Sequence, residues 1–327
     1  MTEPDDNLTE EAISNLLQKV GPLETPPEDM TSRVHAAVEQ TWQREVREQK
    51  QRRWFQYAAG IAVVTASIYL GLTIQTGEPN PPIAHLDSSS EGIFWSADGS
   101  TWQPLEDKPM TAGSWLRTDN SASVSFAHGL NARINTDTSL QLINDSEVHL
   151  IEGTIYLDSY DKPTDLPFRV STRFGTATDI GTQFIVNSGG TAWSVQVREG
   201  MVDVSNDQMN QEVHAGEKIT ITQTGDAAST FVAPFDDSWR WAEATRPAFS
   251  IEGRNLVSYL KWVARETGRD LRFAGPDTER EASETLLHGS IDHLTASESL
   301  EYVLQSTDIR LIDGPENVIM VKTQISH

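Results

Sequence analysis

From Trp54 to Ile74 the chain reads WFQYAAGIAVVTASIYLGLTI, without one charged residue. A helix rises ~1.5 Å per residue, so a run of this length spans about 30 Å, the thickness of the hydrocarbon core of a bilayer. The run predicts one transmembrane helix over 54–74; a buried core helix is the alternative that an apolar run by itself leaves open. At its start, Arg52, Arg53, Trp54, Phe55 and Tyr57 are the cationic and aromatic types that suit a membrane interface.

The flanks give the run a direction. Arg44, Arg47, Lys50, Arg52 and Arg53 precede it, whereas the first basic residue after it is Lys108. Because excess Lys and Arg stays on the cytoplasmic side, 1–53 is expected in the cytoplasm and the rest outside, which in a Gram-negative cell is the periplasm. A cleavable signal peptide carries its apolar segment close to residue 1; this one lies far inside, so it reads as a retained anchor in the inner membrane. The net charge of −23 divides into −4 before Trp54 and −19 after Ile74. That acidity repels nucleic-acid phosphates, so no direct nucleic-acid partner is expected. The chain has no cysteine, which excludes thiol nucleophiles, disulfides and Cys-ligated metals.

Before the run, two amphipathic helical patterns flank the breaker GPLETPPED. One carries Ile13, Leu16, Leu17 and Val20 at three- and four-residue spacing, the other Val34, Ala37, Val38, Thr41 and Trp42. Fifty residues in two such helices bury too little to stand alone, so Ile13, Leu16, Leu17, Val34, Val38 and Trp42 are candidates for a partner-binding face. The alternative is a stalk that only aids insertion.

After the run, residues 75–91 are rich in Pro, Ser and Gly and read as a linker. From 92 to 224 short β-branched and aromatic runs alternate with period two, as in SVSFA (123–127), VHLIEGTIYL (148–157), FRVST (168–172), TQFIVN (182–187) and WSVQVREGMVDVS (193–205). Such a pattern fits a sandwich, a barrel or a β-helical stack equally. A second linker is expected over 225–247, where Trp239 and Trp241 could fasten the exported modules together. Over 248–327 the pattern becomes strand (249–253), helix (255–268), strand (270–274), strand (286–291), helix (294–307) and two final strands. Thr295 followed by Glu298 is a capping box at the start of the second helix.

The expected fold class is therefore multi-domain: a short α-helical cytoplasmic tail (1–53), one transmembrane helix (54–74), an all-β domain (92–224) and a small α+β C-terminal domain (248–327). Hydrolase, zincin, P-loop and dinucleotide signatures are all missing. His288 and His293 are the nearest approach to a ligand pair, and a turn with solvent-exposed imidazoles accounts for them. No enzyme activity, cofactor or metal is expected.

Taken in order, AGSWLRT (112–118), SASVSF (121–126), LIEGTIYL (150–157), PFRVSTRFGTATDIGTQFIV (167–186), VQVREGMVDV (195–204) and HAGEK (214–218) resemble the FecR domain. Residues 249–321 resemble the short N-terminal domain of secretins and TonB-dependent receptors. The first resemblance implies a single-span regulator, an anti-sigma factor or sigma regulator. Its cytoplasmic segment would hold an extracytoplasmic-function sigma factor, and its periplasmic part would sense a TonB-dependent or other outer-membrane receptor, with regulated proteolysis as the relay. The longer Trp-containing anti-sigma domain of many members is not evident in 1–53. Some members cut themselves at a Gly-Thr bond, and the matching pair is Gly181 and Thr182 in DIGTQF; a plain glycine bend into a strand is the alternative. An envelope scaffold with an inert cytoplasmic tail is the competing reading of the whole chain.

Overall fold

The computed structural model describes residues 81–87, 91–106, 109–159, 167–179 and 181–324. Residues 82–231 hold a succession of strands: β1 (Pro82–Leu86), β2 (Ile93–Ser96), β3 (Gln103–Pro104), β4 (Met110–Thr111), β5 (Trp115–Thr118), β6 (Ala122–Phe126), β7 (Asn131–Ile134), β8 (Thr138–Asn144) and β9 (Glu147–Asp158). There follow β10 (Arg169–Thr172), β11 (Gly175–Asp179), β12 (Gln183–Gly189), β13 (Ala192–Glu199), β14 (Met201–Ser205), β15 (Asn210–His214), β16 (Glu217–Thr222) and β17 (Ala227–Phe231). The alternating runs read from the sequence lie on these strands, and the long run 193–205 is two of them, split at Gly200.

The pairings resolve into two sheets that share β9. Sheet I runs β4-β1-β6-β7-β9-β12-β13-β16-β17. Sheet II runs β3-β2-β5-β8-β9-β10-β11-β14-β15. The first half of β9, to Glu152, pairs in sheet II, and the second half, from Gly153, pairs in sheet I. Gly153 sits at the crossing with φ +104°, where a Cβ would come within 2.5 Å of the Thr138 Cα. Only glycine tolerates both the dihedral and the approach. The inward residues of the two sheets, such as Leu140, Leu150 and Val204 against Ile134, Leu157 and Phe184, form one continuous core.

The C-terminal part adds α1 (Arg240–Ala244), α2 (Leu256–Thr267), β18 (Asp270–Phe273), α3 (Pro276–Glu284), α4 (Ala296–Gln305), β19 (Ile309–Leu311) and β20 (Val318–Thr323). Asn255 caps α2 through the Ser258 amide, and Gly268 ends it at φ +66°. The capping box of Thr295 and Glu298 at the start of α4 is present. β20 lies between β18, to which it is parallel, and β19. Two expected strands are corrected. Residues 249–253 form none, although Ile251 is buried and Phe249 stacks on Trp262 with centroids 4.2 Å apart. Residues 286–291 make only an isolated bridge from Leu286 to Asn255, and Gly289 at φ +108° turns the chain away from a ladder. Here alternation marks which side chains are buried, not which backbone groups pair.

Sheet I is covered on its outer face as well. Arg133, Tyr156, Ile185 and Gln196 stand opposite one another on β7, β9, β12 and β13 and form one cross-strand row. All four are buried, with Tyr156 and Ile185 packed against Trp239 and Ala242. Trp239, expected to fasten the modules, is 1% exposed and makes an edge contact with Tyr156, while the Arg198 guanidinium lies over its ring, 4.5 Å from the centroid. The row ends in Arg133, whose Nη1 and Nη2 donate to the two carboxylate oxygens of Glu266 at 2.7 and 2.8 Å. Nη1 also donates to the Ala242 carbonyl at 2.8 Å.

This face corrects the expected fold class. Residues 80–327 form a single compact unit, mostly β with four short helices among the described residues, in place of separate all-β and α+β domains. The physical reason is the outward row: Tyr156 and Ile185 cannot face water cheaply, and 237–267 buries them. Parts of both expected linkers are built in, since β1 pairs with β6, and β17 and α1 lie within 225–247. No helix of the described residues is long and apolar enough to cross a membrane, and the helical tail 1–53 and the run 54–74 lie outside those residues.

Arg133 and Glu266 are 1% and 6% exposed. Burial opposes the charge on Arg133, and the Glu266 carboxylate together with nearby Asp158 and Tyr156 outweighs it, raising the arginine pKa above its ordinary value. Truncating one partner strands the other charge in a dry site. Glu266→Ala is expected to lower unfolding stability by about 3–5 kcal/mol, and Arg133→Met with Glu266→Leu by clearly less, both measured by urea denaturation.

Candidate functional site at Gly181 and Thr182

Three strand ends converge on this peptide. Gly181 and Thr182 lead into β12, Asp179 closes β11, and Ser159 follows β9. Gly181 is exposed and holds φ +76°, in the left-handed region, whereas Thr182 is 1% exposed. The chain thus passes from solvent into the sandwich across one bond. Gly200, between β13 and β14, lies against it: a Cβ there would stand 2.6 Å from Thr182 Cγ2 and 2.8 Å from the Gly181 carbonyl oxygen. Glycine at 200 is what leaves room for the peptide.

The Thr182 backbone is held from β9. Its N–H donates to Ser159 Oγ at 2.8 Å, and its carbonyl accepts from the Ser159 hydroxyl at 3.2 Å and the Ser159 N–H at 3.3 Å. The Thr182 hydroxyl donates to Asp179 Oδ1 in a short contact. Burial pushes the Asp179 carboxyl up, and the hydrogen bond from the Thr182 hydroxyl only partly offsets it. A buried carboxylate of raised basicity, bonded to a threonine hydroxyl, has the chemistry to serve as a general base beside a nucleophile. The nearest electrophile is the carbonyl of Gly181, in a peptide whose glycine occupies a conformation other residues seldom adopt.

The sequence singles out Gly181 and Thr182 but misses Asp179, Ser159 and Gly200. Asp179 had a legible signal, an acid three residues before the threonine in DIGT. Ser159 had none, since 23 residues separate it from Thr182. The other predicted residues, Ile13, Leu16, Leu17, Val34, Val38 and Trp42 for a partner and Arg52, Arg53, Trp54, Phe55 and Tyr57 for the membrane interface, lie outside the described residues. His288 is exposed and its Nδ1 lies 2.8 Å from Glu252 Oε1.

Residues 115–203 match the family model described as FecR protein. No curated protein matches the sequence. Two solved structures of a "putative anti-sigma factor" from Parabacteroides distasonis ATCC 8503 are similar to this chain at 17% and 18% identity, with TM-scores of 0.34 and 0.35. The alignments cover 63% of this chain and 96% and 95% of those chains. The family match runs from the start of β5 into β14 and encloses the Gly181 peptide with all that holds it, so it is this stretch of the chain that carries the similarity to the FecR family.

Proposed function

We propose that the chain is a FecR-type regulator of an extracytoplasmic-function sigma factor. The carrying observation is the FecR domain at 115–203. The charge-free run 54–74 with its basic flank supports a place at the inner membrane, with 1–53 in the cytoplasm and the domain in the periplasm. In this reading the amphipathic tail holds the sigma factor. The C-terminal part, which resembles the short N-terminal domain of TonB-dependent receptors, takes the signal from an outer-membrane receptor, and proteolysis releases the tail.

The Gly181 peptide is the self-cleavage point of this reading. Asp179 takes the Thr182 hydroxyl proton as the oxygen bonds to the Gly181 carbonyl carbon. The C–N bond then breaks, with the proton passing to nitrogen, leaving an ester on the Thr182 side chain and a free Thr182 amine. Water opens the ester to a Gly181 carboxylate and the Thr182 hydroxyl. The two fragments do not part on scission: β12 stays paired with β9, β11 with β14, and Arg133 with Glu266 across the cut. A signal that strips β12 from β9 would separate them.

Two experiments test these readings. Tagged full-length chain recovered from its own cells should bring down a sigma factor, and Leu16→Asp with Leu17→Asp should lose it; recovery without a sigma factor contradicts the regulator reading. Purified protein should convert to fragments ending at Gly181 and starting at Thr182, as read by intact mass. Thr182→Ala should stop this, and Asp179→Asn should slow it by about 10²–10⁴-fold. Because Asp179 acts as its carboxylate and burial raises its pKa, the rate should climb as pH rises above about 4, the ordinary carboxylate range, and level off once Asp179 is ionised. Scission that persists in Thr182→Ala contradicts the mechanism.

A further inference from the structure

Next to the outward row on sheet I lies a second one, two residues along β9 and β12 and three along β13, where the register shifts by one: Asp158 on β9, Gln183 on β12 and Glu199 on β13 stand opposite one another. Gln183 directly follows Thr182. Its Nε2 donates to Asp158 Oδ2 at 3.0 Å. Above this row sits Arg265 of α2, with Nη2 2.5 Å from Asp158 Oδ1 and Nη1 2.5 Å from Glu199 Oε2. The guanidinium therefore bridges the two strands that flank β12, over the residue that follows the Gly181–Thr182 bond.

Both carboxylates it holds neighbour the groups that shape that bond. Asp158 precedes Ser159, which makes all three hydrogen bonds to the Thr182 backbone described above. Glu199 precedes Gly200, where any Cβ would collide with Thr182 and the Gly181 carbonyl. Arg265 and Asp158 are 14% and 12% exposed, so water screens this pair little. Burial pushes Asp158 up, and Arg265 and Arg133 outweigh it, keeping the carboxyl below its ordinary range and charged at neutral pH.

We propose that Arg265 is the positioning residue through which the C-terminal part of the unit sets the geometry of the Gly181–Thr182 bond, an inference that rests on the self-cleavage reading above. Arg265 touches no reacting atom. It fixes the ends of β9 and β13 against β12, so that the Thr182 hydroxyl and the Gly181 carbonyl stay in attacking register. A planar two-pronged cation can hold both carboxylates at once, whereas an ammonium concentrates its charge at one point. The fold in this way couples any contact that shifts α2 to the rate at which the bond breaks.

The test follows scission of the full-length chain by intact mass, with and without hydroxylamine, which opens esters and so reports the acyl shift alone. Arg265→Ala should slow both time courses by about 10- to 100-fold while the protein remains folded by urea denaturation, and Arg265→Lys should recover part of the loss. Glu199→Gln removes only the exposed arm of the clamp, and its slowing supports the proposal even where Arg265→Ala fails to fold. Wild-type scission with unchanged rates in folded Arg265→Ala and Glu199→Gln overturns the proposal. A wild-type chain that stays intact, in hydroxylamine as in buffer, overturns the self-cleavage reading itself and this inference with it.

Discussion

The architecture depends on one buried ion pair between residues 133 apart in sequence, Arg133 of β7 and Glu266 of α2. Neither charge can be buried alone, and each answers the other through two parallel hydrogen bonds. The pair therefore dictates where the end of α2 sits on sheet I. Because Arg265 precedes Glu266, the same placement delivers a cation to Asp158 and Glu199. Two consecutive residues of opposite charge, read by two adjacent rows of sheet I, lock the register of helix on sheet.

From that register the functional geometry follows. β9 takes part in both sheets and ends in Asp158, which faces the helix, and Ser159 just after it faces the Gly181 peptide. β12 begins at Gln183, between the two carboxylates that Arg265 holds. The peptide that would break is thus placed where the sandwich core, the covered outer face and solvent meet. A bond in the middle of a strand would be held by ladder hydrogen bonds on both sides, and one in a free loop would lack the ordered neighbours that aim a hydroxyl at a carbonyl.

Much of this was legible in the sequence, because strands announce themselves by alternation and helices by caps. Thr295 with Glu298, Asn255 and Gly268 mark helix ends through local chemistry that needs no tertiary knowledge. The helix at 276–284 was missed because only Thr278 and Ala282 are buried on it, so the signals were Pro276 at its first turn and the acids Asp277 and Glu279. The covered face of sheet I was the larger loss. Its trace is that the outward positions Tyr156 and Ile185 interrupt the polar half of the alternation, giving IYL and FIV where a strand with one wet face would place a polar residue. What no local pattern could supply is the partner: Arg133 and Glu266 are ordinary charges until the fold brings them together.

The central claim is that residues 80–327 behave as one cooperative body and not as a sandwich with an appended domain. Native-state hydrogen exchange tests it most directly, by comparing opening free energies of amides in α2 with those in β7 and β9. If the charged pairs and the Trp239 contact fuse the two parts, the most protected amides of α2 and of β9 open with the same free energy and the same denaturant dependence. Should α2 exchange through a separate, easier opening while β7 and β9 stay protected, the C-terminal part is an independent domain and the account is wrong.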